Sequence, residues 1–191
     1  MPVHIRYDDA ESVLFSQIHT CLRTKGRAFI ALDGMAASGK TTLASALAAR
    51  FEDVAVIHMD DFFLPAEKRG TVSQTLANAD IERVLNDVLL PLSHGQHAAY
   101  RPFVCHPQPR FLDPVCIDGS CPVVIVEGAY CLHPDLWALY DLRDVVTIAP
   151  KQQQARILKR NGQAMLSRFV SEWIPLENRH IAVRKIGRAH V

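Results

Sequence analysis

The stretch ALDGMAASGKTTLASALAARF (residues 31–51) sets glycines, a lysine and two threonines between two apolar runs. Gly34, Gly39, Lys40 and Thr41 match the pattern G-x-x-x-x-G-K-[ST]. The spacing has a mechanical meaning. Glycines let the chain turn tightly and expose successive backbone N–H groups, and the positive end of the following helix adds to them. Together they wrap an anionic phosphate. The intervening Met35, Ala36, Ala37 and Ser38, with Thr42 beyond, belong to the same cradle. Lys40 is expected to reach the β- and γ-phosphates, and the Thr41 hydroxyl to ligate Mg²⁺. The ligand implied is a nucleoside triphosphate, Mg-ATP.

Outward from this loop the pattern is regular. RAFIALDG reads as a short buried strand, Ala28 to Leu32, ended by Gly34, and KTTLASALAARF as a helix of strong helix formers. VAVIHM is a second buried strand, and CPVVIVEG is the clearest central one, with four consecutive β-branched residues and no alternation. RDVVTIAP is a fourth. Val13, Leu14, Ile18, Cys21 and Leu22 recur at helical spacing near the N-terminus. Residues 76–92 read as a helix with Ile81, Val84, Leu85, Val88 and Leu89 on one face, closed by Pro91. QHAAYRPF and FLDPVCIDG suit the arms of a hairpin, with VCHPQPR between them, whose prolines forbid regular pairing. Residues 152–170 are helical, with a break near Asn161-Gly162. Apolar strands alternating with helices predict an α/β fold: three layers around a parallel central sheet, in one domain over residues 1–185, with a small inserted hairpin and a helical lid at 152–170.

Composition narrows the function. The chain has 191 residues, 49% of them apolar, and a net charge of +1 spread along its length. A large core is expected, whereas a general nucleic-acid or membrane binder is not. The five cysteines (Cys21, Cys105, Cys116, Cys121, Cys131) form no C-x-x-C pair, which suits free thiols in a reducing cytoplasm and argues against zinc. No secretory leader and no bilayer-length apolar run is expected.

Two further segments carry carboxylates to strand ends. VVIVE ends in Glu127, placed to hold Mg²⁺ through water. HMDDFF puts Asp60 and Asp61 after the second strand, where ligands of parallel sheets bind. A carboxylate there suits the base that takes the proton of an attacking hydroxyl. Asp60 is the first choice and Asp61 the second, Asp60 is also a candidate for Mg²⁺ beside Thr41 and Glu127, and either is also suited to capping the next turn. Arg156, Lys159 and Arg160 share a helical face, and Arg168 follows. By spacing alone this is a solvated basic face. No N-K-x-D guanine-reading motif occurs.

Together DGMAASGKTT, HMDDFFLP and VEGAY resemble the uridine kinase and phosphoribulokinase group of P-loop kinases. ARILKRNG and MLSRFVSEWIPLENR resemble the lid and following helix of its bacterial uridine-kinase-like members. The resemblance spans about Ala28 to Arg179. It implies transfer of the ATP γ-phosphate to a small-molecule hydroxyl, typically the 5′-hydroxyl of uridine or cytidine. It places the base on Asp60, Mg²⁺ assistance on Glu127 and lid arginines on Arg156, Arg160 and Arg168. The partner implied is a small nucleoside, and a homo-oligomer is compatible with it. In the acceptor region Asn78-Ala79-Asp80 corresponds to the family's N-x-D, so Asp80 would bond sugar hydroxyls. The same aspartate also suits an N-cap before Ile81. Phe63, Arg101 and His106 are the other acceptor candidates, with Tyr100 or Phe103 suited to stack on a planar ring or simply to pack. The chain departs from well-known uridine kinases at Ile81-Glu82, where they carry His-Pro, and at Phe63, where they carry Tyr.

The last residues, IGRAHV (186–191), are also what a common sequencing-library adapter, ATCGGAAGAGCACACGTC, encodes. They are expected to be a non-native tail, with the natural chain longer.

Overall fold

The computed structural model describes residues 4–64, 78–104, 108–183 and 188–190. Its centre is a six-stranded parallel sheet in the order β1-β10-β9-β2-β8-β3. The strands are β1 (His4–Arg6), β2 (Ala28–Gly34), β3 (Val54–His58), β8 (Val123–Glu127), β9 (Leu142–Thr147) and β10 (Arg188–His190). Every residue of β2 and β8 is buried, which is why their sequences show no alternation: helices cover both faces.

On one face lie α1 (Tyr7–Lys25) and α2 (Lys40–Ala48). Leu14 and Ile18 of α1 and Leu43 and Leu47 of α2 pack on Ile30, Leu32 and Ile125. Each such side chain contributes about 1.5–3 kcal/mol of burial. The opposite core gathers Ile57, Phe62, Val84, Val88, Leu89, Val124 and Val126. Its helical cover is α3 (Ile81–Arg83), a π-helical stretch Val84–Leu89, and α4 (Leu90–Ser93). Pro91 therefore does not close the helix as its position suggested. It lies in the first turn of α4, where a missing N–H costs little.

The inserted hairpin is present as two short antiparallel pairs. These join β4 (Ala98–Tyr100) to β7 (Val115–Ile117), and β5 (Phe103–Val104) to β6 (Arg110–Phe111). After α5 (Pro134–Trp137) and β9 come α6 (Pro150–Arg168), a π-helical turn Phe169–Trp173 and α7 (Ile174–Val183). The expected break falls at Gly162, whose φ of 78° and ψ of 173° interrupt α6. Strands β1 and β10 have no counterpart in the hydropathy pattern. Three residues each are too few to show a period, and β10 falls within the stretch 186–191.

Candidate active site

The phosphate loop joins β2 to α2. At Gly34 any Cβ would collide with the Val146 carbonyl of the neighbouring strand, so only glycine lets the chain leave the sheet there. Gly39 precedes α2 with a left-handed φ of 104° and supplies no side-chain cap. The first N–H groups of α2 therefore remain as donors for an anion. Lys40 is buried, and its Nζ donates to the Met35 carbonyl at 2.9 Å. The Ser38 hydroxyl is buried without a partner among the described residues. A buried cation, an orphaned hydroxyl and an uncapped helix start form a donor set that fits a polyphosphate.

Beside the loop, Thr41 Oγ1 donates to Glu127 Oε1 at 3.1 Å, and His58 Nδ1 lies 2.7 Å from the same oxygen. The hydroxyl and carboxylate are hard oxygen donors, which suits Mg²⁺. The Glu127 hydrogen bond holds His58 above its usual pKa against the opposing effect of burial. Asp60 and Asp61 occupy a 3-10 turn, Met59–Phe62, and point to different places. Asp60 lines the main cleft, whereas Asp61 accepts the Tyr100 hydroxyl at 3.0 Å. Asp60 is open to the cleft, yet protein walls surround its carboxyl. Loss of hydration and the Glu127 carboxylate push its pKa up, while Lys40, His58 and Arg160 pull it down.

The cleft holds about 760 Å³. Arg156, Arg160 and Arg168 of α6 all line it. Arg156 Nη1 donates to the Ala37 carbonyl at 3.1 Å, and Arg168 pairs with Glu172 at 3.3 Å while lying over the Trp173 ring. A buried pair anchors α7 beneath the loop: His180 Nε2 lies 2.8 Å from Asp33 Oδ2. Asp33 also accepts the N–H groups of Gly34, Tyr130 and Leu132, so a carboxylate inside the sheet is fully hydrogen-bonded.

No protein-family model matches the sequence. Solved structures match it over nearly its full length. A candidate fructose transport system kinase from Silicibacter sp. TM1040 is 25% identical, with a TM-score of 0.71, over 95% of this chain and 98% of that one. A candidate uridine kinase from Bacillus stearothermophilus is 18% identical, with a TM-score of 0.64, over 96% and 98%. The phosphoribulokinase of Rhodobacter spheroides is 16% identical, with a TM-score of 0.52, over 82% of this chain and 64% of its own. The chain therefore shares its fold with P-loop kinases of the uridine kinase and phosphoribulokinase type.

Within this fold the expected acceptor residues separate. Phe63 lines the cleft. Asp80 does not: its side chain accepts the Arg83 N–H at 3.3 Å as the N-cap of α3. Asn78, the first residue of the same N-x-D and not expected to bond the acceptor, lines the cleft instead. Arg101 is also held elsewhere. Its Nε donates to the Leu112 carbonyl at 2.8 Å, and it borders a shallow groove with Phe111. His106 lies outside the described residues. Tyr100 is buried and stacked on Phe62, and Phe103 is buried against Phe111, so both rings pack within the protein. The aromatic groups that do face the cleft are Phe63, Tyr130, Phe169 and Trp173. Helical spacing could have suggested the last two, which lie in the quoted lid segment. Nothing local marks Tyr130, held at a left-handed φ of 73°, or the His58, Asp33 and His180 contacts.

Proposed function

We propose that the protein is an ATP-dependent small-molecule kinase that transfers the γ-phosphoryl group to an acceptor hydroxyl. One observation carries this reading: the Asp60 carboxylate opens into the same cleft as Lys40, Thr41, Glu127 and Arg160. The acceptor oxygen forms a bond to the γ-phosphorus as the bond to the β,γ-bridging oxygen breaks. ADP leaves, and Asp60 takes the hydroxyl proton. Lys40 and the loop amides hold the phosphates, and the lid arginines spread the developing charge and exclude water. Thr41 and Glu127 would hold Mg²⁺, with His58 orienting Glu127; bound there, the ion neutralises phosphate charge. A cytoplasmic setting is part of the same reading.

Uridine or cytidine is the acceptor favoured by the resemblance of the motifs, with the 5′-hydroxyl as nucleophile. Phe63, Phe169 and Trp173 offer surfaces for a planar base. A second reading, a sugar or sugar-like acceptor, has its own support. Ile81-Glu82 replace the His-Pro of well-known uridine kinases, and the 25% identical structure carries a sugar-related name.

The test is ADP release from Mg-ATP with uridine, cytidine, other nucleosides, fructose, sugar phosphates and pantothenate. Stimulation by a pyrimidine nucleoside, lost in Asp60→Asn, is the expected result. Stimulation by a sugar alone would keep the chemistry and replace the acceptor. ATP binding with no stimulation by any acceptor would reject catalysis in favour of a regulatory ATP-binding module.

A further inference from the structure

The middle of the phosphate loop contains no glycine. Ala37 nonetheless occupies the left-handed region, with a φ of 57°, a conformation that an L side chain resists. The side chains of Ala36 and Ala37 are too small to hold that shape, and the loop's internal hydrogen bonds, from the Ser38 N–H at 3.2 Å and Lys40 Nζ at 2.9 Å, both end on the Met35 carbonyl. Restraint at Ala36 itself comes from two helices, α6 and α7. Ala36 is gripped at both of its backbone polar groups. Its N–H donates to Glu177 Oε2 at 2.9 Å, and its carbonyl accepts Gln153 Nε2 at 3.1 Å. Both side chains are buried, Gln153 at 2% exposure and Glu177 at 7%. They come from the first turn of α6 and the first turn of α7.

We infer that Gln153 and Glu177 are positioning residues that clamp Ala36 and hold the phosphate loop in its nucleotide-receptive shape. They act through the backbone rather than through contact with phosphate. An anionic ligand would repel the Glu177 carboxylate, so its use to the site is as a hydrogen-bond acceptor. Burial pushes the Glu177 carboxyl above its usual range, while the Ala36 N–H and Lys40 oppose that shift. A preorganised loop loses less freedom when the nucleotide arrives, so the clamp appears as affinity. It also ties the loop to α6, which carries Arg156, Arg160 and Arg168. The inference rests on reading the loop as a nucleotide site.

The experiment is calorimetric titration of Mg-ADP into the full chain, with amide hydrogen exchange followed across residues 33–40. Glu177→Ala and Gln153→Ala are expected to raise the Kd for Mg-ADP about tenfold, the cost of one lost buried hydrogen bond. The Ala36 amide should exchange faster in Glu177→Ala. Glu177→Gln keeps an acceptor oxygen and should stay within about twofold of the unaltered protein in both readouts. Unchanged affinity in both alanine variants would overturn the clamp. So would a Glu177→Gln variant as weak as Glu177→Ala, because charge rather than the hydrogen bond would then be responsible. An unaltered protein that does not bind Mg-ADP would instead overturn the nucleotide reading itself, and the clamp with it.

Discussion

His58 Nδ1 and the Thr41 hydroxyl converge on one oxygen, Glu127 Oε1, at 2.7 Å and 3.1 Å. The end of β3 thereby orients the carboxylate at the end of β8. His58→Ala leaves that carboxylate free to rotate. The Mg²⁺ concentration giving half-maximal ADP release should rise about tenfold, as for other residues that orient metal ligands. His58→Asn, which can still donate to Glu127, should recover part of the loss. A Mg²⁺ titration of both variants checks this.

Asp60, the proposed base, is expected to cost stability at neutral pH. Its carboxyl pKa is raised by burial and then by Glu127, so the folded chain holds that proton more tightly than the unfolded one. Stability therefore falls as pH rises from the ordinary aspartate value through the raised one, and stays lower above it. Asp60→Asn should raise the melting temperature at neutral pH, with no gain in strong acid. Phosphoryl transfer should fall by about 10²–10⁴-fold while Mg-ATP still binds. Melting curves at two pH values and a single-turnover assay read the two effects separately.

Arg160 is close enough to Asp60 to lower its pKa. Arg160→Ala should therefore move the acid limb of the rate profile to higher pH. It should also reduce kcat by about a hundredfold or more through lost charge stabilisation. An unshifted limb would place Arg160 away from the base in the working enzyme. The pH dependence of kcat/KM decides it.

Asp144 on β9 offers a test at a residue outside the proposed catalytic set. Burial alone raises its pKa from 3.8 to about 6. Between those values the unfolded chain binds fewer protons, so stability is lost as pH rises through the window and is not regained above it. Asp144→Asn should gain about 1–3 kcal/mol at about pH 7.5, and little at about pH 4. Urea unfolding midpoints at both pH values provide the measurement.

Much of the fold is legible along the chain because it is written in local periods. Four apolar strands, the helix after the phosphate loop, the hairpin arms and the break at Gly162 each follow from a pattern a few residues long. Strands β1 and β10 are too short to carry such a pattern, and the π-helical stretch at Val84–Leu89 shifts a register that proline spacing alone reads as an ending. In the site, the phosphate loop is contiguous and was read residue by residue. Arg101 and Asp80 were plausible by residue type, yet each is engaged by a nearby backbone group.

By itself the sequence determined the glycine-lysine loop between a strand and a helix, the parallel α/β layering and the presence of carboxylates at two strand ends. All are properties of single elements and their immediate turns. Only the tertiary structure decided which of Asp60 and Asp61 faces the cleft. A 3-10 turn separates successive side chains by about 120°, and the sheet sets where each direction leads. It alone joined His180 to Asp33 across 147 residues and Glu177 to Ala36 across 141. Spacing along a chain states which residues share a face of an element. Which faces meet is decided by packing the layers into one core.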